Sequence, residues 1–153
     1  MADPKPITDA QIKRIKPLMK AFTRLNAFVF RVSNGRFMST FSGCDICLVT
    51  MKGARSGRVL DIPLMYVPFE QGVILVASMG GAPRHPIWYY NLKANPEIEV
   101  RVKGTVRKLI AQEVDAEAKA KLWPVCCEHY PEYATYQKRT DRDIPVFNCQ
   151  PNS

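Results

Sequence analysis

Short apolar strands joined by tight turns constrain the fold of this chain more than any other feature of its sequence. ICLVTM (46–51), VLDIPLMYV (59–67) and GVILVASM (72–79) predict three strands, with PFEQG as the turn between the last two. EIEVRVKGTVRKLIAQEV (97–114) alternates apolar and polar residues around Gly104, and this pattern predicts a hairpin. We therefore expect an antiparallel sheet in the middle of the chain.

Helical segments are inserted between these strands without the strand–helix–strand rhythm of a parallel sheet. HPIWYYNLKANP (85–96) predicts a short helix that stops before its last proline. DAEAKAKLWPVCCEHY (115–130) predicts a helix capped by Asp115, PEYATYQKRT (131–140) a further helical turn or two, and IPVFNCQ (144–150) a last strand. We expect an α+β fold in which helices pack outside one antiparallel, barrel-like sheet.

The N-terminal part of the chain has a strongly amphipathic pattern. Residues 8–33 predict a helix in which Thr8 and Gln11 form a capping box and Pro17 introduces a kink. Apolar side chains fall on one stripe of this helix, and lysines and arginines fall opposite. Two interpretations remain open, because the helix can pack on the core with its basic face in water or lie on an anionic membrane surface.

The net charge of +8 is concentrated in the same region. Residues 1–60 hold 11 Lys and Arg against three Asp and Glu, whereas residues 61–153 hold 11 of each kind. An anionic partner is therefore expected to meet the first two-fifths of the chain. Nucleic acid is not expected as that partner, because the aromatic residues lie opposite the basic helix face rather than beside it.

Length and composition predict a single domain over residues 1–153, with 46% apolar and 24% charged residues. No apolar run reaches the roughly 18 residues that a membrane-spanning helix needs. The polar N-terminus also lacks the apolar segment of a signal peptide. We expect a cytoplasmic protein, and one that is peripheral at the inner face of the cell membrane if the N-terminal helix binds lipid.

The five cysteines are odd in number and unevenly spaced, so they do not predict a disulfide framework. Cys44 and Cys47 form a C-x-x-C pair, but positions i and i+3 of a strand point to opposite faces. His85 and His129 are the only histidines that could add ligands. We expect buried, small apolar cysteines and no metal, rather than a redox or zinc site.

KGARSGR (52–58) follows the first strand and can be either an anion site or a soluble hairpin end. Glycines let the backbone N–H groups turn toward one point, and arginine binds phosphate or carboxylate groups through two parallel hydrogen bonds. The residues that would form such a site are Gly53, Arg55, Ser56, Gly57 and Arg58.

SMGGAPRHPIWYYNLKANP (78–96) combines two glycines at a strand end with an aromatic cluster. The glycines allow a ligand to approach the backbone closely. Trp88, Tyr89 and Tyr90 can form the wall of a site for a flat ligand, or they can fill the core.

HYPEYATYQ (129–137) contains Tyr130, Tyr133 and Tyr136 at a spacing of three, which predicts one shared helical face. Buried hydroxyl groups need hydrogen-bond partners. The three tyrosines are therefore either a lid that orients or protonates a substrate, or structural packing.

Taken together, these stretches resemble the deazaflavin-dependent nitroreductase family of actinobacteria such as mycobacteria. The resemblance rests on LVTMKGARSG, on GGAPRHPIWYYNLKANP and on the ending YPEYATYQKRTDRDIP, and it covers about residues 46–151. It implies a split β-barrel, similar to the FMN-binding barrels, that binds the hydride carrier coenzyme F420. It also implies reduction of electron-poor small molecules such as quinones, nitroimidazoles and other nitroaromatics, and enones and other α,β-unsaturated carbonyl compounds.

The resemblance also implies residue roles. The GARSGR turn would hold the phosphate and tail carboxylates of F420, although Asp61 nearby opposes anion binding. The implied cofactor-binding residues are Thr50, Gly53, Arg55, Ser56, Gly57, Arg58, Pro63, Leu64, Met65, Ala77, Ser78, Met79, Gly80, Gly81, Pro86, Trp88 and Asn91. The implied catalytic residues, which would stabilise and protonate the acceptor, are Ser78, Tyr130, Tyr133 and Tyr136.

Among the tyrosines, Tyr133 is expected to matter most, because it is the middle one of the three. Two alternatives to an F420-dependent reductase remain. The first is a barrel of the same kind that uses FMN as its cofactor, and the second is a non-catalytic protein that binds a deazaflavin or a lipid. The protein is expected to be a monomer.

Overall fold

The computed structural model of the protein describes residues 40–41 and 44–152. The predicted amphipathic helix at 8–33 lies outside the described residues, so its packing on the core or on lipid stays a prediction. Within the described part of the chain, no helix is long and apolar enough to cross a membrane.

Eight strands in the described ranges form one antiparallel sheet. The strands are β1 (Thr40–Phe41), β2 (Cys44–Lys52), β3 (Val59–Met65), β4 (Val67–Phe69), β5 (Gly72–Val76), β6 (Glu97–Val102), β7 (Thr105–Glu113) and β8 (Val146–Gln150).

Three α-helices and one 3₁₀ turn complete this part of the fold. The 3₁₀ turn (Met79–Gly81) follows β5, and the helices are α1 (Ile87–Ala94), α2 (Ala116–His129) and α3 (Glu132–Lys138). Asp115 caps α2, because its carboxylate accepts a hydrogen bond of 2.8 Å from the Ala118 N–H. This contact satisfies one of the N–H groups that a helix start leaves without a partner.

The order of the strands makes the sheet curl. The order is β1-β2-β6-β7-β8-β5-β4, and β3 pairs with the edge of β2 that does not face β6. Apart from the two-residue β1, the outermost strands are β3 and β4, yet only Tyr66 separates them in the sequence. A sheet whose opposite edges are consecutive in the chain has to bend back on itself. The result is a curled half-barrel, as expected for a split-barrel fold.

Successive side chains of each strand point to opposite faces of the sheet. Apolar side chains therefore form two clusters, one inside the curl and one between the sheet and the helices. Phe147 lies fully buried in the inner cluster, and burial of a side chain of this size contributes about 3 kcal/mol. The inner cluster also contains Cys47, Val49, Met51, Leu75, Trp88, Val100 and Leu109. The outer cluster lies beneath α2 and α3 and contains Val67, Ile74, Val76, Leu122, Cys126, Tyr130, Tyr133 and Ile144.

Within residues 44–152, the predicted strands and helices are confirmed with shifts at their ends. The segment 59–67 is divided between β3 and β4, so the turn comprises Glu70 and Gln71 rather than all of PFEQG. Strand pairing extends this far because Phe69 lies opposite Gly72. A Cβ atom on Gly72 would lie 1.8 Å from the Cys149 carbonyl oxygen, so only glycine allows β5 and β8 to approach here.

Candidate functional site

The turn between β2 and β3 is closed by its own backbone, and its arginines are exposed. The Gly53 N–H donates to the Arg58 carbonyl at 2.8 Å, and the Gly57 N–H donates to the Gly53 carbonyl at 3.1 Å. The glycine N–H groups therefore close the turn instead of converging on a ligand. Among residues 44–152, the N–H groups of Arg55 and Ser56 have no hydrogen-bond partner, and the side chains of Arg55 and Arg58 form no ion pair.

The buried side chain of Asn91 on α1 holds this turn in place by hydrogen bonding. Its Oδ1 accepts a 2.9 Å hydrogen bond from the Ala54 N–H, and its Nδ2 contacts the Met51 sulfur at 3.8 Å. Asn95, the residue that follows α1, donates to the Lys52 carbonyl at 3.5 Å. Asn91 is buried, so it positions the turn rather than lining an open pocket.

Thr50 and Asp61 form a pair on the β2–β3 hairpin. They lie opposite each other in the strand register, and the Thr50 hydroxyl donates to the Asp61 carboxylate at 2.6 Å. The Thr50 proton is thus committed to a carboxylate. An incoming anion at this position meets a negative charge and no free threonine donor.

The end of β3 places Met65 beside the tyrosines. Met65 packs against the outer cluster, which contains Tyr130 and Tyr133, whereas Leu64 points into the curl. Among the described strands, β3 pairs with β2 alone, so its other edge leaves peptide groups available to a flat ligand. Pro63 fits this position because an edge strand tolerates a residue without an N–H group.

The loop after β5 has an unusual backbone. Three successive residues have positive φ angles, 46° at Met79, 66° at Gly80 and 82° at Gly81. Positive φ is uncommon for a side chain such as methionine, and strained backbone of this kind persists only where its surroundings fix it. Ser78 is buried at the start of this loop.

Helix α3 lies directly on that loop. A Cβ atom on Gly81 would lie 2.5 Å from the Tyr136 carbonyl oxygen and 2.9 Å from the Arg139 Cβ. Glycine is therefore required at position 81 for space as well as for backbone conformation. The contact brings the Ser78 loop and the tyrosine helix into one site.

Two arginines after the tyrosines hold the same loop, and the sequence analysis missed both. Arg142 donates to the carbonyl oxygens of Ala77 at 3.1 Å, Ser78 at 2.8 Å and Ala82 at 3.1 Å. Arg139 donates to the Gly80 carbonyl at 3.3 Å. The only available signal was the basic spacing in QKRTDRD, which does not reveal that the partners are backbone carbonyls about 60 residues earlier.

The three tyrosines cluster but do not share one helix. Tyr130 is the residue that ends α2, whereas Tyr133 and Tyr136 lie on α3. The hydroxyl groups of Tyr130 and Tyr136 share a hydrogen bond of 2.9 Å. The Tyr130 ring lies edge-on to the Tyr133 ring, with centroids 5.0 Å apart. The predicted cluster is thus formed by two helices that meet at the intervening Pro131.

Tyr133 is the most deeply buried of the three, with 3% of its surface exposed. Burial raises the pKa of its phenol far above the usual range, and nearby Cys126 and Cys47 raise it further. Among the described residues, the Tyr133 hydroxyl has no hydrogen-bond partner. This environment keeps Tyr133 protonated and makes it a weak acid.

Two implied cofactor residues lie in the core. Trp88 packs on Phe147 inside the curl, with ring centroids 6.0 Å apart. Pro86 is the buried residue at which α1 begins. Their contacts are those of core packing, which is one of the two interpretations that the aromatic cluster allowed.

The cysteines with described side chains are free thiols. Cys47, Cys126 and Cys149 are buried, and burial raises the pKa of Cys47 and of Cys126 to about 12. Across residues 45–152, no group of three or more His, Cys, Asp or Glu side chains could hold a metal ion. These thiols behave as small apolar side chains.

Two clefts are lined by residues other than those predicted for the site. One of about 390 Å³ is bounded by α2 and α3 and includes Lys119 and Trp123. Another of about 240 Å³ opens at the β6–β7 hairpin, where Lys103 and Arg107 line it. Neither cleft is lined by a residue that we predicted from the sequence to bind a cofactor or a substrate.

Comparison with known proteins gives a consistent result. The model of a family described as F420H(2)-dependent quinone reductase matches residues 22–151. An F420H(2)-dependent quinone reductase of Mycobacterium tuberculosis (strain H37Rv) is 35% identical over 127 residues, which cover 80% of this chain and 85% of the relative. A second, putative F420H(2)-dependent quinone reductase of that organism is 32% identical over 104 residues, or 68% of this chain and 87% of the relative.

Solved structures agree with these relatives. An F420-H2 dependent reductase (FDR-A) superposes with a TM-score of 0.62 and 46% identity, covering 67% of this chain and 90% of its own. A structure described as a domain-swapped dimer superposes with a TM-score of 0.63 and 39% identity, covering 81% and 95%.

Proposed function

The chain belongs to the F420H(2)-dependent quinone reductase family, and on that premise we propose which of its residues bind the coenzyme and which act on the quinone. The protein is an oxidoreductase that transfers hydride from reduced F420 to a quinone. Nitroaromatic and enone acceptors, and FMN as an alternative cofactor, remain predictions from the sequence.

The donors of the β2–β3 turn fit the anionic tail of F420. Two exposed guanidinium groups, on Arg55 and Arg58, and the two N–H groups without partners, on Arg55 and Ser56, lie within four residues. This set matches the needs of a phosphate or carboxylate group, which accepts charge-assisted hydrogen bonds from several donors. Asn91 keeps the turn in place through the Ala54 N–H.

One observation supports the location of the reaction above all others, and it is the direct contact of α3 with the 79–81 turn. Because Gly81 lies beneath the Tyr136 backbone, the Ser78 loop, the tyrosines and the edge strand β3 converge on one place. Backbone groups of Pro63, Leu64 and Met65 would line one side of the deazaflavin ring, and residues 77–81 another. Bound reduced F420 supplies the hydride.

The chain itself supplies orientation, exclusion of water and a proton. When a quinone accepts hydride, negative charge develops on one of its oxygens, and uptake of one proton then gives the hydroquinone. A preorganised hydroxyl near that oxygen stabilises the charge. We assign this role to Tyr136, whose hydroxyl is oriented by Tyr130 at 2.9 Å, with Ser78 as a second donor. Tyr133 is buried, so its ring excludes water from the site. Its raised pKa makes it a poor proton donor, so we do not assign the proton transfer to it.

A binding titration combined with a turnover assay tests these assignments. The wild-type protein is titrated with F420 and, separately, with FMN, and turnover is followed with reduced F420 and menadione. The Arg55→Ala/Arg58→Ala double variant should weaken F420 binding at least tenfold, because each lost charge-assisted hydrogen bond contributes about 1.5–3 kcal/mol. A matched control is Arg107→Ala/Lys108→Ala, which removes two exposed cations from β7.

The two variant pairs give distinguishable results. Equal F420 affinity in both would refute the tail site, and binding of FMN alone would refute the cofactor assignment.

Cellular location and oligomeric state are tested with the same protein. We propose a cytoplasmic monomer that contacts the membrane through residues 8–33, so deletion of these residues should abolish pelleting with anionic vesicles. Light scattering that gives a dimer mass would refute the monomer.

A further inference from the structure

Arg142 makes a denser set of hydrogen bonds than its position in a surface loop requires. Its Nε donates to the Ala82 carbonyl at 3.1 Å, its Nη2 to the Ser78 carbonyl at 2.8 Å, and its Nη1 to the Ala77 carbonyl at 3.1 Å. Its Nη1 also lies 2.7 Å from the His85 Nδ1. A guanidinium has five N–H donors, so four of the five are used on one loop.

The acceptors of Arg142 flank the strained part of that loop on both sides. Ala77 and Ser78 precede the three residues with positive φ, and Ala82 follows them. The turn itself contains only two internal hydrogen bonds, from the Gly81 N–H to Ser78 and from the Ala82 N–H to Met79. Left-handed backbone at a residue other than glycine costs about 1–2 kcal/mol, so an outside contact has to stabilise it.

We propose that Arg142 is a positioning residue that holds the 77–82 loop, and with it Ser78, in the conformation needed for hydride transfer. The proposal rests on the proposed function of this site. Arg142 follows α3 by four residues, so the same short segment presents Tyr136 to the acceptor and fixes the loop opposite. Reactions between oriented groups are sensitive to displacement, and a shift of about 1 Å can reduce a rate about 100-fold.

His85 reports on the same contact. A guanidinium cannot accept a hydrogen bond, so the His85 Nδ1 must be the unprotonated nitrogen of a neutral ring. The charged and titratable groups that face His85 are Arg142, Glu113, Tyr89 and Tyr90. Burial and the charge of Arg142 lower the His85 pKa, and Glu113 opposes them. Loss of Arg142 should therefore raise the His85 pKa.

The arginine is not interchangeable with lysine here, because an ammonium group is a single point and cannot reach four acceptors arranged around a planar fork. Arg107 provides a matched comparison. It also donates to a backbone carbonyl, that of Gln71 at 3.1 Å, but it makes this one bond at the opposite end of the curled sheet. A variant at this position removes an arginine–carbonyl bond without touching the site.

The experiment compares Arg142→Gln, Arg142→Lys and Arg107→Gln with the wild type. Turnover of menadione with reduced F420, F420 affinity and amide hydrogen exchange of Gly81 and Ala82 are measured for each protein. Arg142→Gln should lower kcat about 100-fold and increase exchange at both amides at least tenfold. Arg142→Lys should lie between Arg142→Gln and the wild type, and Arg107→Gln should match the wild type.

The His85 titration, followed by NMR in a His129→Gln background that leaves one histidine, should shift to higher pH in Arg142→Gln. A folded Arg142→Gln protein with wild-type kcat, amide exchange and His85 pKa would overturn the proposal. If Arg142→Gln does not fold, Arg142→Lys decides, and wild-type values in that variant overturn it as well. If the wild type lacks quinone reductase activity, the proposed function fails, while hydrogen exchange and the His85 titration still test the loop.

Discussion

Substitution of Gly81 by alanine tests whether the packing of α3 on the 79–81 turn holds the site together. The new Cβ atom would lie 2.5 Å from the Tyr136 carbonyl oxygen and 3.1 Å from the Tyr136 Cα. Both contacts are with backbone, so no side chain can rotate out of the way. Gly57→Ala is a matched control, because Gly57 also has a positive φ of 67° but its nearest neighbour is the flexible Lys52 Cε at 3.8 Å.

The expected difference in stability between these variants follows from two costs, one of backbone conformation and one of packing. A left-handed conformation costs an alanine about 1–2 kcal/mol, and both variants carry this cost. Forcing an atom into a packed contact adds about 1–3 kcal/mol, and only Gly81→Ala carries that cost. We therefore expect Gly57→Ala to lower the free energy of unfolding by about 1–2 kcal/mol. The corresponding loss for Gly81→Ala is about 2–5 kcal/mol.

Urea unfolding monitored by circular dichroism measures both free energies, and menadione turnover reports on the site. For a chain of this size, each kcal/mol also shifts the melting temperature by about 2–4 °C. If α3 moves away to relieve the contact, Gly81→Ala should lose turnover as well as stability. Equal free energies of unfolding in Gly57→Ala and Gly81→Ala, with full turnover in both, would show that α3 does not constrain the turn.

Three further predictions concern the site and the thiols. Tyr136→Phe should lower kcat about 100-fold, which is the low end of what one proton-transferring group contributes. Tyr133→Phe should leave kcat nearly unchanged, and the reverse result would restore Tyr133 as the principal donor. Asp61→Asn keeps an acceptor for the Thr50 hydroxyl while removing a negative charge near the arginine turn, so F420 should bind about twofold more tightly at low salt and equally at 1 M salt. With a pKa of about 12, Cys126 should resist alkylation by iodoacetamide at pH 8. The half-buried neighbour Cys127 should react faster in the same peptide, and equal labelling measured by mass spectrometry would contradict the burial of Cys126.

Local patterns in the sequence predicted the strands and helices well because these patterns depend on neighbouring residues. The hairpin at Gly104 and the cap at Asp115 are both confirmed. The boundary between β3 and β4 was harder to predict, because it depends on the pairing of Phe69 with Gly72 and on the close approach of β8. That approach joins residues almost 80 positions apart, which no short window of sequence contains.

The residue types of the site were predictable, but many of their tasks were not. Asn91 was expected only as a cofactor-binding residue, and the sequence did not predict that its Oδ1 accepts a hydrogen bond from the Ala54 N–H. Arg142 was not singled out, because its acceptors are main-chain carbonyls, and any residue type can supply those. Spacing placed the three tyrosines together, and the separate segments at 115–130 and 131–140 predicted the break after Tyr130, but the pairing of two hydroxyl groups was not predicted.

The central place of β8 in the sheet has a consequence for synthesis. Val146–Gln150 is translated after the other described strands, yet it lies between β7 and β5 and is the only strand of the described sheet that joins them. Until these residues leave the ribosome, the nascent chain carries two half-sheets, each with an open edge on which another chain can add a strand. A stop codon or frameshift before Val146 therefore removes the strand that unites the sheet and leaves an aggregation-prone fragment.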